Sequence, residues 1–131
     1  MAKLIPALNT CLNKMQAGEK RFARRLEQLL EDDYLCWYEV PVGKRQRYTD
    51  FVILHPARGL LLLEVKDWKI DTIVNLDPNS ITINTPTGQT TTSNPIQQAR
   101  DCTLALVDEL KQDPQLINKI GSHKGKLVNG F

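Results

Sequence analysis

Residues 48–66 read YTDFVILHPARGLLLLEVK, and this stretch decides the fold. Two apolar runs, at 51–54 and 60–63, flank a turn that contains a proline and a glycine. This pattern predicts a β-hairpin, because both residues in the turn break regular strands. The second run is apolar on both of its faces, so we expect its strand to lie inside the sheet and to be covered on each side.

The same hairpin brings charged side chains together. If Leu54 pairs with Leu60, the antiparallel register sets Asp50 opposite Glu64, and Lys66 shares the face of Glu64 because side chains alternate along a strand. Two carboxylates at directly opposed positions repel each other. A divalent cation binds oxygen ligands and cancels that repulsion, so the pattern indicates a metal site.

Length and composition point to one globular domain over residues 1–131. Hydrophobic residues make up 41% and charged residues 24%, which is ordinary for a folded soluble protein. The formal net charge is only +2, so any affinity for nucleic acid must come from local basic clusters. No stretch resembles a signal peptide or reaches membrane-spanning length, and we therefore expect a soluble, cytoplasmic protein with no membrane partner.

The cysteines give a further constraint. Cys11, Cys36 and Cys102 are odd in number, far apart, and lack partners at metal-ligand spacing. This argues against a disulfide framework and against a structural zinc site. Buried free thiols in a reducing compartment are the expectation.

Helical patterns stand on both sides of the hairpin. After a lead-in at 1–17 with only weak structural signals, residues 18–32 carry an apolar helical stripe that consists of Phe22, Leu26, Leu29 and Leu30. A second helix should start at Asn94-Pro95, with Asn94 as N-cap and Gln97 as capping-box partner, and end by Pro114.

The remaining segments predict strands and loops. Strands are expected at 34–42, within 67–76 and at 81–84, whereas 85–93 and 121–126 read as loops. Residues 127–131 resemble the start of another strand, so we expect the chain to be a fragment of a longer protein. The fold class is α/β: a mixed sheet with a central antiparallel hairpin, flanked by helices.

Several polar residues fit a phosphodiester-cleaving site around this hairpin. Asp50, Glu64 and the Val65 carbonyl would offer oxygens to Mg²⁺ or Mn²⁺, and Lys66 would orient a water or neutralise a phosphate. Glu19 shares the buried stripe of the first helix and is expected to join them. Gln98 lies in the first turns of the second helix, where anions are favoured.

The ordered set of motifs resembles the NERD (nuclease-related) domain, a member of the PD-(D/E)xK, restriction-endonuclease-like superfamily. The motifs are Gly18-Glu19, Asp50-Phe51-Val52, Glu64-Val65-Lys66-Asp67-Trp68 and Asn94-Pro95-Ile96-Gln97-Gln98-Ala99. The resemblance implies an αβββαβ core, metal-dependent cleavage of nucleic acid, and attachment to other modules such as DNA helicases. By match, its site positions are Glu19, Asp50, Glu64, Lys66 and Gln98. Thr49 stands where the superfamily has proline.

Each of these residues also has a simpler interpretation. Glu64 and Lys66 could form an ordinary ion pair, Glu19 could serve only the helix dipole, and Gln98 could be solvated. Trp68 is interpreted as a packing residue in preference to one that stacks on a base. Several basic residues are candidates for binding nucleic-acid phosphates, although a charged helix face is often only solvated: Lys20, Arg21, Arg24, Arg25, Lys44, Arg45 and Arg47.

We therefore expect a Mg²⁺- or Mn²⁺-dependent deoxyribonuclease domain of a DNA-processing protein. One alternative is a non-catalytic module that binds nucleic acid or regulates a helicase-like protein to which it is attached. Another is a purely structural interaction domain, which would leave the acidic cluster without a role.

Overall fold

A computed structural model describes residues 1–128. Its main sheet has four strands in the order β1-β2-β3-β4. These are β1 (Lys3–Ile5), β2 (Leu35–Val42), β3 (Arg47–His55) and β4 (Gly59–Leu63). β1 runs parallel to β2, and the other neighbours are antiparallel. The sheet is therefore mixed, with the antiparallel β3–β4 hairpin that the sequence predicted.

The register of the hairpin is the predicted one. Leu54 pairs with Leu60, and Phe51 pairs with Leu63. The ladder stops at Leu63, whose carbonyl accepts a hydrogen bond of 3.1 Å from the buried Thr49 hydroxyl. The chain beyond Leu63 thus leaves the sheet directly opposite Asp50.

β4 lies at one end of the described sheet, so the expectation of a strand covered on both faces was wrong. Ile53 is 6% exposed, whereas its cross-strand partner Leu61 is 54% exposed. The apolar cover is thus incomplete at Leu61, although Leu63 of the same strand packs against the core. Four consecutive leucines do not distinguish an interior strand from an edge strand with one uncovered face.

The N-terminal segment, residues 1–17, contains more regular secondary structure than its sequence predicts. It contains β1, a short helix α1 (Leu8–Cys11) and a 3₁₀ turn (Leu12–Lys14). Ala2, Leu4, Cys11 and Met15 are all buried in the core against α2 (Ala17–Leu29). A strand as short as β1 carries too few residues for its alternation to be recognised in the sequence.

α2 packs by a stripe that differs in part from the predicted one. Ala23 and Leu26 are buried, and Phe22 makes an edge-to-face contact with Phe51. Leu29 is 70% exposed, because the helix ends there rather than near residue 32. Leu29 is therefore not a core residue.

The second predicted helix is α3 (Pro95–Leu110), and its start is confirmed. The Asn94 side chain accepts a hydrogen bond from the Ile96 N–H, as an N-cap does. Gln97 was expected to complete a capping box, but it donates instead to Asp101. Pro114 begins a 3₁₀ turn after the helix has ended.

A second, three-stranded antiparallel sheet connects β4 to α3. It consists of β5 (Ile73–Leu76), β6 (Ser80–Thr85) and β7 (Gly88–Ser93), in that order. The expected loop at 85–93 is thus a strand. All side chains of β7 are exposed, so its polar sequence carries no apolar alternation to reveal it. Residues 67–69 carry no strand, and Ile70–Thr72 form a 3₁₀ turn.

Near the end of the chain, Leu127 is buried and forms an isolated antiparallel bridge with Ile117. The predicted strand at 127–131 falls largely on residues 129–131, which lie outside the described residues. All three cysteines are buried and free, as expected. No helix within residues 1–128 combines the length and apolarity needed to cross a membrane.

Candidate active site

Asp50 is anchored at the point where the hairpin strands separate. Its Oδ2 accepts a hydrogen bond of 2.7 Å from the Val65 N–H, which has no partner in the β ladder. Within residues 1–128, the other carboxylate oxygen of Asp50 makes no hydrogen bond. Asp50 borders a cavity of about 490 Å³, and Glu19, Val65, Lys66 and Trp68 also line it.

The environment of Asp50 disfavours its charge. Burial raises the pKa of Asp50, and the negative charges of Glu64 and Glu19 raise it further. The Val65 hydrogen bond and the Lys66 ammonium act in the opposite direction. The charges of Glu19, Glu64 and Lys66 thus lie close enough to Asp50 to shift its pKa.

The side chain of Glu64 is deeply buried. Its side chain is 6% exposed, and Oε1 accepts from the Lys66 ammonium at 3.1 Å. Within residues 1–128, no group donates a hydrogen bond to the buried Oε2. A buried carboxylate oxygen without a partner is costly. The simple ion pair therefore accounts for only one of the two oxygens of Glu64.

Glu64 is not among the residues that line the Glu19–Asp50 cavity. Its charge helps to raise the pKa of the Cys102 thiol, although burial is the larger cause. Lys66 lines the cavity and bonds to Glu64, so it connects the buried acid to the open space.

Glu19 caps α2 and also borders the cavity beside Asp50. Its Oε2 accepts from the Gln16 N–H at 2.9 Å, which caps α2, and from the Tyr38 hydroxyl, also at 2.9 Å. The other oxygen remains available, and the residue lines the same cavity as Asp50. Burial and the hydrogen bond to Glu19 raise the pKa of Tyr38, so this hydroxyl stays a donor at working pH.

Gln98 borders a different cavity. It lines a space of about 280 Å³ together with Arg47 and Cys102, and it is absent from the wall of the Glu19–Asp50 cavity. Gln98 lies one helical turn before Cys102 and therefore shares its helix face. The structure does not place Gln98 in one cavity with Glu19 and Asp50, and its catalytic role stays a prediction.

The basic residues are divided between two surfaces. Lys44, Arg45 and Arg47 line a third cavity of about 480 Å³, opposite the acidic residues Asp101, Asp108 and Glu109 of α3. Arg47 forms an ion pair with Asp101 at 3.1 Å. Lys20 and Arg24 lie on α2, and neither lines the acid-containing cavity.

Two residues that help to build the site were not found from the sequence. Tyr38 orients Glu19, and Thr49 fixes the end of β4 beside Asp50. An aromatic residue in a strand is typical of a hydrophobic core, so the sequence did not indicate that Tyr38 contacts Glu19. Thr49 immediately precedes Asp50, at the position where the superfamily has proline, but nothing in the sequence indicated its hydrogen bond to the Leu63 carbonyl.

A separate group of possible metal ligands lies at the other end of the hairpin. The ligand atoms of Glu31, Asp33 and His55 lie within 4.8 Å of one another, a spacing that Glu19, Asp50 and Glu64 do not reach as a set. However, Nδ1 of His55 accepts from the Ala57 N–H at 3.0 Å. The proton of the neutral ring therefore belongs on Nε2, 2.9 Å from Asp33, and that nitrogen has no lone pair for a metal.

The chain belongs to the nuclease-related domain family, because the model of that family (NERD) matches residues 14–123. A search of curated proteins and a search of solved structures gave no match. Family membership implies nuclease-related function and interaction with nucleic acid. The mixed four-stranded sheet with its flanking helices is compatible with a nuclease-like fold.

Proposed function

We propose that this domain is a nuclease that hydrolyses DNA phosphodiester bonds and depends on Mg²⁺ or Mn²⁺. The observation that carries the proposal is the buried Glu64 Oε2, which has no hydrogen-bond partner within the described chain and lies beside Lys66 and Asp50. A divalent cation would satisfy this oxygen and offset the excess of negative charge around it.

Asp50 and Glu64 are the residues that would hold the cation, with Glu19 and the Val65 carbonyl as further oxygen donors. Mg²⁺ is usually bound by one or two carboxylates and keeps several waters, which suits acids that are not drawn into one tight cluster. When bound, such an ion stabilises negative charge on a phosphate and lowers the pKa of a water.

The other side chains have separate tasks in this proposal. The Lys66 ammonium neutralises charge on the reacting phosphate, and its bond to Glu64 holds it at the cavity wall. Tyr38 and the Gln16 N–H hold Glu19 by one oxygen. Gln98 supports the site from α3, while Lys44, Arg45, Arg47, Lys20 and Arg24 contribute phosphate contacts.

We also propose that the domain acts within a larger cytoplasmic DNA-processing protein and is joined there to a helicase. This extension rests on the resemblance of the motifs, which implies attachment to such modules. Identification of the segments that flank residues 1–131 in the expressed protein tests it. Flanking segments without a helicase would contradict it.

The nuclease proposal is tested by cleavage of plasmid and single-stranded DNA with Mg²⁺, Mn²⁺ or EDTA. Asp50→Ala and Lys66→Ala should each lower the rate by about 10²-fold or more, as expected for loss of a charged group in an active site. Asp71→Ala and Lys69→Ala are matched controls, because both residues are exposed and border none of the cavities described above. Cleavage that persists in EDTA, or that is unchanged in both site variants, would contradict the proposal.

A non-catalytic nucleic-acid-binding module is the second candidate. The absence of Gln98 from the Glu19–Asp50 cavity favours it, because the set of matched residues is then not assembled in one place. Calorimetry distinguishes the two. DNA binding without heat from Mn²⁺ uptake would support the second candidate and contradict the first.

A further inference from the structure

A second cleft adjoins the acid-containing cavity. It has a volume of about 420 Å³ and shares Lys66, Asp67 and Trp68 with that cavity. Its other wall is α2, which contributes Arg21 and Arg25. The two spaces therefore lie next to each other, and Lys66 and Trp68 border both.

The charges of the two parts are opposite. Glu19 and Asp50 line only the first part and make it acidic, whereas Arg21 and Arg25 line only the second part and make it basic. Lys66 and Asp67 border both. Arg21 and Arg25 are one helical turn apart and so present their guanidinium groups along the same side of α2. Arg21 is paired with Asp67 at 2.8 Å, but both side chains are largely exposed, so a phosphate could compete for this arginine.

Trp68 provides an aromatic surface between the arginines and the acids. The sequence favoured a packing role, but the residue is only partly buried and borders both spaces. Indole rings bind bases by stacking, which requires a base whose face is not covered by its neighbours in a duplex. Guanidinium groups beside such a ring are suited to the phosphates of the same strand.

We propose that Arg21, Arg25 and Trp68 bind an unpaired strand of nucleic acid and lead it into the acid-containing cavity. The arginines hold phosphates, and Trp68 stacks on a base next to the bond that reaches Asp50. This proposal deepens the nuclease proposal, on which it rests, by naming unpaired strands or frayed ends as the substrate class. It assigns the phosphate contacts nearest the site to Arg21 and Arg25.

Binding measured in EDTA tests the proposal without relying on cleavage. The ligands are a fluorescent DNA oligonucleotide, the same strand annealed to its complement, and the same strand with abasic sites. We expect the single strand to bind at least about tenfold more tightly than the other two, because stacking is lost in both. Equal affinity for the single strand and the duplex would overturn the proposal, and so would equal affinity for the abasic strand.

Variants identify the residues responsible. Trp68→Leu should weaken single-strand binding by about tenfold and leave abasic-strand binding unchanged, whereas Trp68→Phe, which keeps an aromatic face, should restore most of the affinity. Arg25→Gln should reduce the slope of log K against log salt by about 0.7, the value for one lost phosphate contact on a single strand. Arg100→Gln, an exposed α3 substitution outside the cleft, is the control for charge.

The outcomes separate this inference from the nuclease proposal. Wild-type affinity in Trp68→Leu, or an unchanged salt slope in Arg25→Gln, would overturn the strand-binding inference even if metal-dependent cleavage is found. Loss of single-strand preference in Trp68→Leu without any cleavage by the wild type would support the inference and contradict the nuclease proposal. If a Trp68 variant does not fold, the affinities of the wild-type chain for the single strand, the duplex and the abasic strand still test the strand-binding inference.

Discussion

The backbone N–H of Val65 donates a 2.7 Å hydrogen bond to Oδ2 of Asp50, across the gap where β3 and β4 cease to pair. A side chain here takes the place that a backbone carbonyl would occupy in a continued ladder. Asp50 is therefore part of the structure of the hairpin as well as of the candidate site. Four predictions follow from this position and from the contacts around it.

Asp50→Asn should make the metal-free protein more stable at neutral pH. The pKa of Asp50 is raised above 3.8, first by burial, so the folded state holds this proton more tightly than the unfolded state. The resulting stabilisation is complete below 3.8 and is lost as pH rises through the pKa of the folded state. Asparagine carries no charge and can still accept from Val65.

Urea unfolding in EDTA at pH 7 and pH 4 measures this effect. The stability advantage of Asp50→Asn should be larger at pH 7 and shrink at pH 4. Asp71→Asn, on an exposed turn, should change the free energy of unfolding by no more than about 0.5 kcal/mol. An Asp50→Asn variant that is less stable than wild type at pH 7 would show that the charge of Asp50 is not disfavoured.

Mn²⁺ should stabilise the wild type but not Glu64→Gln. Binding to the folded state alone adds about 2.7 kcal/mol when the free metal is a hundredfold above Kd, and this should raise Tm by several degrees. Glutamine retains the size of Glu64 but removes the charge from the buried oxygen. Thermal unfolding with and without Mn²⁺ provides the measurement.

The control for this experiment is Glu31→Gln, which alters the second acidic group near His55. This variant should keep the full Mn²⁺ effect, because His55 already uses Nε2 to bind Asp33. Loss of the effect in Glu31→Gln, with retention in Glu64→Gln, would place the metal at the other end of the hairpin.

Tyr38→Phe should weaken metal binding through Glu19. The change removes one buried hydroxyl that donates to a carboxylate, and such hydrogen bonds contribute about 1.5–3 kcal/mol. We expect about tenfold less cleavage at limiting Mn²⁺ and a near-complete recovery at saturating Mn²⁺. Tyr48→Phe, at an exposed tyrosine, should behave as wild type. Equal rates for Tyr38→Phe and wild type at limiting Mn²⁺ would remove Tyr38 from the site.

Thr49→Val and Thr49→Ser should separate hydrogen bonding from packing. Valine keeps the shape but leaves the Leu63 carbonyl without its donor, at a cost of about 1–3 kcal/mol. Serine keeps the donor and loses one methyl group, worth about 1 kcal/mol of burial. If the hydroxyl positions the end of β4, cleavage should fall in Thr49→Val and persist in Thr49→Ser, with unfolding measured in parallel. A Thr49→Val variant with full activity would limit Thr49 to packing.

The sequence predicts the hairpin well because its register depends on local pattern alone. Two apolar runs and a Pro-Gly turn suffice to set Leu54 opposite Leu60, and with them Asp50 close to Glu64 and Lys66. The start of α3 was equally predictable, because Asn94 is a favoured N-cap residue and Pro95 suits the first helical position. Both elements depend on residues that are close in the sequence, so the sequence alone is enough to predict them.

Contacts between distant segments could not be predicted in this way. The bond from Tyr38 to Glu19 and the ion pair of Arg47 with Asp101 join elements whose relative placement no periodicity records. The cavity that Gln98 borders depends on how far α3 tilts over the sheet. β7 was missed because its threonines are exposed on both faces, so burial gave it no pattern.

The place of Trp68 between the two spaces has a practical consequence for spectroscopy. The chain has two tryptophans, and the other, Trp37, lies within β2 opposite Val52. Replacement of Trp37 by phenylalanine would leave a single indole emitter at the mouth of the site. Its fluorescence would respond to a paramagnetic quencher such as Mn²⁺ and to a stacked nucleobase. Binding in the acid-containing cavity and in the adjoining cleft could therefore be followed without a dye.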